Sequence, residues 1–374
     1  MRFQVSSTAL YARLQALNRV INTKSTLNIL ECILFETEEN QLKMTASDSE
    51  TTLVAKLALD DLQGGGRFAI KAATIINSLK ELYEQPITLD VNEETFEVKM
   101  YYQNGKSSFV GQSADEYPLP MGIADEVQSI ELSSSILANG ISRALFATAD
   151  DELRPVMNGI YFDITEENIT FVASDGHKLV RDRNNTVKSS QSTSFILPKK
   201  PAKMLKDILA KSEGEAVIRF DEKNAEIKID DYTLACRLIV GRYPNYNSVI
   251  PTDNPFHVTV DREAMIGALR RTMVFASTST SLTKLSMENN SLTISTQDID
   301  YSTSAEEHIL CDYTGNNMKI GFKGTFLLDI LNTMESTNII LQLADPSRAG
   351  VIVPAEQDEG EDLLMLLMPM MLND

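Results

Sequence analysis

Apolar and polar positions alternate with period two in runs such as Ile87-Thr-Leu-Asp-Val, Phe96-Glu-Val-Lys-Met and Ala225-Glu-Ile-Lys-Ile. A backbone that sends successive side chains to opposite faces turns this pattern into strands with one buried face. The period changes at a few places. Ile75-Ile76…Leu79, Met204-Leu205…Ile208 and Phe326-Leu327…Ile330 each read apolar-apolar-x-x-apolar, the spacing of one helix face. Phe3-Gln-Val-Ser-Ser, Ile130-Glu-Leu-Ser-Ser and Val258-Thr-Val-Asp-Arg each predict a short strand running into a helix. Ser6, Ser133 and Asp261 stand at those junctions, where a side-chain oxygen can accept from the first unpaired N–H groups of the helix.

These passages recur. Val5, Leu132 and Val260 correspond at intervals of 127 and 128 residues, and Ile75, Met204 and Phe326 at 129 and 122. Such a period is too long for a solenoid repeat and has the length of an ordinary domain. Turn chemistry (Gly64-Gly65-Gly66, Asn104-Gly105, Asp175-Gly176, Asn289-Asn290) falls between the alternating runs. Each third therefore predicts two helices and roughly eight strands, giving an α+β fold of three repeated units, each two helices on antiparallel sheets. The first two thirds end alike, in Glu116-Tyr117-Pro118 and Arg242-Tyr243-Pro244, where proline is expected to stop the preceding strand. Domains at 1–126, 127–255 and 256–374 follow.

The chain has 374 residues, 43% of them hydrophobic, enough for a core in each third. Its net charge of −19 argues against a general nucleic-acid binder. Cys32, Cys236 and Cys311 are widely spaced inside apolar runs and read as buried free thiols, which suits a reducing cytosol. Met1-Arg-Phe-Gln leads into an alternating strand rather than a signal peptide. The longest apolar stretch, Leu363 to Leu372, is too short to span a bilayer and carries Pro369. A soluble cytoplasmic protein with no membrane partner is expected.

The placement of the basic residues changes the picture drawn from their total. Ser7 to Lys24 carries Arg13, Arg19 and Lys24 with no acid, and Lys199 to Lys211 holds five lysines against Asp207. Lys71 and Lys80 flank the second helix of the first third. On a wheel of about 100° per residue, Lys199, Lys203 and Lys206 form one stripe, opposite Met204, Leu205, Ile208 and Leu209. That helix should pack on a sheet and turn its lysines outward. Basic helix faces in an acidic chain point to a polyanion held on one side only. Arg13, Arg19, Lys24, Lys71, Lys80, Lys199, Lys200, Lys203 and Lys206 are the candidate phosphate contacts, sequence-independent and salt-sensitive.

Catalytic motifs fail. Gly105-Lys106-Ser107 resembles the end of a phosphate loop, but Met100 stands where its first glycine is needed. No nucleophile elbow, zinc-protease pair, Cys-x-x-Cys or dinucleotide glycine signature occurs. Ser174, Asp175 and His177 read as a tight turn carrying an exposed histidine rather than a catalytic group. The acidic run from Glu356 to Asp362 reads as a solvated loop, because it lacks a Ca²⁺-loop spacing. No enzyme, cofactor or metal site is expected.

Several longer blocks carry a resemblance: Thr26-Leu-Asn-Ile-Leu, Ala46-Ser-Asp, Arg154-Pro-Val-Met-Asn-Gly, Val172-Ala-Ser-Asp-Gly-His-Lys-Leu, Leu197-Pro-Lys-Lys, Gly241-Arg-Tyr-Pro-Asn-Tyr, Lys319-Ile-Gly-Phe, Leu328-Asp-Ile-Leu and Met368-Pro-Met. Over its whole length the chain resembles the bacterial DNA polymerase III beta-subunit family, the replicative sliding clamps. One departure is Met371 with Leu372-Asn-Asp after it, where the family commonly has an arginine. The resemblance implies three DNA-clamp domains in a head-to-tail homodimeric ring around duplex DNA. It places Phe109, Met273, Val274 and Phe275 at the ring joint. It implies a pocket for short linear motifs of the replicative polymerase, the clamp loader and repair proteins. Met157, Ser174, Gly176, His177, Leu179, Pro244, Val249, Leu366, Leu367, Met368, Pro369 and Met370 would line it. Helix packing agrees with a dimer: six helices about 10 Å apart enclose almost no hole, whereas twelve leave an opening approaching 30 Å, wide enough for a duplex. The alternative is a non-enzymatic three-domain interaction scaffold that does not encircle DNA.

Overall fold

The computed structural model describes residues 1–22, 27–118, 122–124 and 127–372. Its elements repeat one order three times. The first third runs β1 (Arg2–Ser6), α1 (Ser7–Asn18), β2 (Cys32–Glu38), β3 (Gln41–Ser47), β4 (Thr51–Ala58), β5 (Asp61–Gln63), β6 (Arg67–Lys71), α2 (Ala72–Leu79), β7 (Pro86–Val91), β8 (Glu97–Tyr102) and β9 (Gly105–Val110). The second runs β10 (Gln128–Ser133), α3 (Ser134–Leu145), β11 (Gly159–Ile164), β12 (Ile169–Ser174), β13 (Lys178–Asn184), β14 (Thr193–Pro198), α4 (Lys199–Leu209), β15 (Glu215–Phe220), β16 (Asn224–Ile229) and β17 (Tyr232–Arg237). The third runs β18 (Phe256–Asp261), α5 (Arg262–Met273), β19 (Leu282–Glu288), β20 (Ser291–Asp298), β21 (Thr303–Asp312), β22 (Met318–Lys323), α6 (Gly324–Thr333), β23 (Asn338–Leu343), β24 (Gly350–Pro354) and β25 (Glu361–Leu367). The short strand β5 is an addition peculiar to the first copy.

The three opening helices start as their sequences predict. Ser6 Oγ accepts from Ala9 N at 3.1 Å, Ser133 Oγ from Ile136 N at 3.3 Å, and Asp261 Oδ1 from Ala264 N at 2.7 Å. Each such cap contributes about 1 kcal/mol to its helix. In α4 the wheel holds for the apolar face and most of the stripe: Met204, Leu205, Ile208 and Leu209 are buried and Lys203 and Lys206 are exposed, whereas Lys199 is half-buried and paired with Asp150.

The chain forms two compact units, Met1–Ala138 with Lys203–Leu238, and Asn139–Ala202 with Ile239–Asp374. The first holds a five-stranded sheet, β5-β1-β7-β8-β9, and an eight-stranded one, β10-β15-β16-β17-β4-β3-β2-β6. The second holds a twelve-stranded sheet, β14-β11-β12-β13-β25-β24-β23-β18-β21-β20-β19-β22. The sheets thus run across the sequence thirds. β17 pairs with β4 from Tyr232↔Ala55 to Cys236↔Thr51, and β13 pairs with β25 from Lys178↔Leu367 to Asn184↔Glu361.

Some expected details differ. β9 ends at Val110 and β17 at Arg237, well before Pro118 and Pro244, so neither proline stops a strand. The tyrosines do the work there. Tyr117 is buried and donates to Thr45 O at 3.0 Å, and buried Tyr243 stacks on Tyr161 at 4.7 Å. Tyr102 pairs with Gly105, which makes Gln103-Asn104 the hairpin loop and puts Gly105 in β9. Cys32 and Cys236 are free and buried, whereas Cys311 is free but only half-buried near the end of β21. The acidic stretch before the tail is not all solvated loop, because Glu361 and Asp362 open β25 and are ion-paired.

Those pairs belong to a set of largely half-buried ion pairs on both faces of the β13–β25 ladder in the second unit. Arg143 on α3 reaches Asp182 on β13 at 3.4 Å and Glu361 on β25 at 2.9 Å. Arg181 reaches Asp362 at 2.6 Å. Together they clip both strands to the helix above them. α3 sits close on the sheet, since a Cβ at Gly140 would lie 2.4 Å from the Phe171 ring.

Two outcomes follow. Burial pushes the Asp182 carboxyl up to about 6, against the attraction of Arg143. A folded pKa above the unfolded one means that folding takes up a proton, so this contribution to stability falls as pH rises from about 4 to about 6 and is level above. Asp182→Asn abolishes the uptake. In urea unfolding, the variant should gain on the parent by on the order of 2–3 kcal/mol between pH 4 and pH 7. A gap independent of pH would contradict this. Gly140→Ala, a change that usually steadies a helix, should instead cost about 1–3 kcal/mol by overpacking against Phe171, read as a lower urea midpoint.

Candidate functional site

In the second unit the β13–β25 ladder runs beside a buried apolar cluster. Leu179 faces Leu366 and Lys178 faces Leu367 across the ladder. Before β13 the chain turns tightly through residues 175–177. Asp175 Oδ1 accepts from His177 N at 2.8 Å and Lys178 N at 3.0 Å. Ser174 Oγ donates to Lys178 O at 2.8 Å and accepts from Gly176 N at 3.1 Å. Gly176 has φ +92°, a left-handed conformation that glycine adopts without cost, and a Cβ there would lie 3.0 Å from Arg154 Nη1. The turn presents the His177 carbonyl to Met368 N at 2.8 Å. Met370 N then donates to Gly321 O at 2.8 Å. The tail is strapped at both ends, to the β12–β13 turn and to β22.

Leu179 and Leu366 share a buried cluster with Val172, Ile196, Tyr243, Tyr246 and Ala349. Tyr246 donates to Asp163 at 2.7 Å, which anchors the 3₁₀ turn Tyr246–Val249 and leaves Val249 57% exposed. The twelve residues singled out in the sequence divide accordingly. Met157, Leu179, Leu366 and Leu367 are buried, and of these Leu179 and Leu366 belong to the cluster. Gly176, His177, Pro244, Val249 and Met368 are exposed, and Ser174, Pro369 and Met370 are half-buried. Met157 lies in the 3₁₀ turn Pro155–Met157, beside Val156, which packs on the cluster. The twelve left out Val172, Ile196, Tyr243, Tyr246 and Ala349 of the cluster, and Tyr161 packed against it. Tyr246 lay in the Gly241-Arg-Tyr-Pro-Asn-Tyr block and could have been found there.

Lys178 was also passed over. Its side chain is buried, with Nζ 2.5 Å from Asp175 Oδ2 and 3.9 Å from the Phe326 ring centroid. Lys323 lies 4.4 Å from the same centroid. Burial raises the Asp175 carboxyl, but hydrogen bonds from the Lys178 side chain and from the Lys178 and His177 backbone outweigh it and hold the group below its usual range. The turn is therefore fixed by a buried ion pair on an aromatic ring. Ser174 and His177 have no nucleophile–base contact, since Ser174 Oγ is engaged by backbone groups.

The basic helices are less bare than their sequences suggest. Arg13 on α1 reaches Asp231 at 3.0 Å, Arg19 at the α1 C-cap pairs with Asp207, Lys71 reaches Glu31 at 2.8 Å, and Lys199 reaches Asp150 at 2.6 Å. Lys80, Lys200, Lys203 and Lys206 are exposed, and Lys24 lies outside the described residues. Phe109 lies half-buried on β9, an edge strand, next to Val110 at 72% exposure. Met273 ends α5 half-buried, followed by Val274 at 76% and Phe275 at 42% exposure. β21 pairs with β18 only through Cys311 and Asp312, which leaves the edge of its first eight residues open on that side. Among the described residues no cluster of three or more His, Cys, Asp or Glu could hold a metal ion, and no helix is long and apolar enough to cross a membrane.

Models of the DNA polymerase III beta subunit match three consecutive stretches: its N-terminal domain over residues 1–121, its central domain over 131–245 and its C-terminal domain over 247–370. The beta sliding clamp of Pseudomonas aeruginosa is 26% identical over 370 residues, covering 98% of this chain and 99% of the relative. That of Haemophilus influenzae is 26% identical over 368 residues, with the same coverage. The crystal structure of the P. aeruginosa subunit superposes with a TM-score of 0.90 at 26% identity, covering all of both chains. A second P. aeruginosa structure, bound to griselimycin, gives 0.92 at 26% identity, again over all of both chains. With nearly every residue inside one of three matched domains of one subunit, and the whole fold shared with its solved structures, the chain belongs to the DNA polymerase III beta subunit family.

Proposed function

We propose that this chain is a DNA sliding clamp: two copies join head to tail, encircle duplex DNA and tether the replicative polymerase and other replication and repair proteins to it. It is not an enzyme and works in the cytoplasm. Three clamp domains, 1–126, 127–255 and 256–374, fit the threefold element order; residues 125–126, at the first boundary, lie outside the described residues. The observation that carries the reading is the strapping of the tail to the β12–β13 turn beside an apolar cluster, where a peptide groove would lie. Its floor would be apolar and its rim would carry exposed Val249 and Met368, with polar His177 and Arg154 beside it. A short linear motif with aliphatic and aromatic anchors suits such a site, and methionine adapts to different side chains. Partners would then compete for one groove per copy. The basic helix faces supply a sequence-independent, salt-sensitive hold on phosphates, which permits sliding.

The ring joint would use the two open edges, β9 with Phe109 and β21 with the neighbouring Met273-Val274-Phe275, since an unpaired edge strand invites pairing with another chain. A bare scaffold that never encircles DNA has no use for basic helices in a chain of charge −19.

Deleting Met368 to Asp374 should abolish binding of a glutamine-led peptide ending in Leu-Phe, by fluorescence anisotropy, while sedimentation still shows a dimer. Phe109→Ala with Phe275→Ala should do the reverse, giving folded monomers that keep the peptide. Full peptide affinity after the truncation would mean that the groove is placed wrongly.

A further inference from the structure

A cleft of about 360 Å³ opens in the first unit between α1, the C-terminal part of α4 and the β16–β17 turn. Arg13, Arg19 and Lys211 line it together with Asp207, Asp230 and Asp231. Each nitrogen of the Arg13 guanidinium is engaged there. Nη2 donates to Asp231 Oδ2 at 3.0 Å, Nη1 to the Tyr232 hydroxyl at 3.2 Å and Nε to the Lys56 carbonyl at 3.4 Å, and its carbon lies 4.9 Å from the Tyr232 ring centroid. Arg19 is paired with Asp207 across the same cleft. Both carboxylates are half or more exposed, at 60% for Asp231 and 50% for Asp207.

We infer that Asp207 and Asp231 occupy the arginines of the basic face as phosphate does, so that DNA gains Arg13 and Arg19 only by exchanging them for these carboxylates. The inference rests on the reading that α1 and α4 face DNA. Its physical basis is a comparison of like with like. A carboxylate and a phosphate oxygen both accept from the guanidinium fork, and an exposed ion pair in water is weak enough to exchange readily. Such pairs stabilise a fold little, so placing them on the helices that carry the phosphate contacts is better explained by what they compete with. The arrangement recurs outside the cleft, at Lys71 with Glu31 and Lys199 with Asp150. At least four of the eight described candidates are matched with a carboxylate in this way. The hold on DNA is thereby kept weak, and the counterions released on binding are fewer than the count of basic residues implies.

The test measures binding of a short linear duplex, onto which a ring can thread, between roughly 25 and 150 mM salt. Three proteins are compared: the full-length parent, D207N/D231N, and a charge-matched control, E356Q/D358N, on the exposed loop before β25. The cleft variant should bind several-fold tighter at low salt. Its plot of log K against log salt should steepen by about 0.9 for each arginine released, and the control should move little on both counts. Arg13→Gln should cost less affinity in the parent than in the cleft variant. Equal shifts in both double variants, or no shift in the cleft variant while the parent binds, would overturn the exchange. No duplex binding by the parent at low salt would instead remove the DNA-facing reading, and this inference with it.

Discussion

Antiparallel pairing of β13 with β25, residues Lys178–Asn184 against Glu361–Leu367, is the constraint on which the candidate peptide site depends. It brings a turn from the middle of the chain beside its last strand. The ladder puts the His177 carbonyl where Met368 can donate to it. Register decides the outcome, because a slip of one residue would turn Leu179 or Leu366 away from the apolar cluster they share. Two devices hold the register besides the apolar pairs. Arg181–Asp362 closes one face at 2.6 Å, and Arg143 ties Asp182 and Glu361 to α3 on the other.

The groove and the basic face solve opposite problems. A peptide must be gripped, and the proposed site fits that: Tyr161 and Tyr243 stack beneath it, the Asp175–Lys178 pair locks its turn, and Met368 would supply an adaptable rim. A sliding duplex must not be gripped. The proposed DNA-facing helices fit that requirement, with arginine and lysine already matched with carboxylates beside lysines such as Lys203 and Lys206 that stand exposed. The net charge of −19 adds an overall repulsion of a polyanion.

Local structure was legible in the sequence because local signals carry it. The caps at Ser6, Ser133 and Asp261 and the buried face of α4 follow from neighbours within four residues. Strand partners were not legible, since alternation states which face is buried but gives no address for the neighbour. Nothing in Tyr232-Thr-Leu-Ala-Cys-Arg announces β4 as its partner. For the same reason the ion pairs escaped notice: Arg13 and Asp231 are 218 residues apart. Tyr117 and Tyr243 show a subtler miss, where a repeated Tyr-Pro was read through its proline although the tyrosine does the packing. Of the candidate groove, family resemblance supplied the residues, and only the ladder explains why they meet.

Encirclement is the central claim, and topology tests it without reference to any single contact. The protein loaded on a closed circular duplex should stay bound for long times at moderate salt and leave promptly when the circle is cut once through both strands. Equal retention on circular and linear DNA would contradict the account, because a surface-bound protein has no reason to notice a free end.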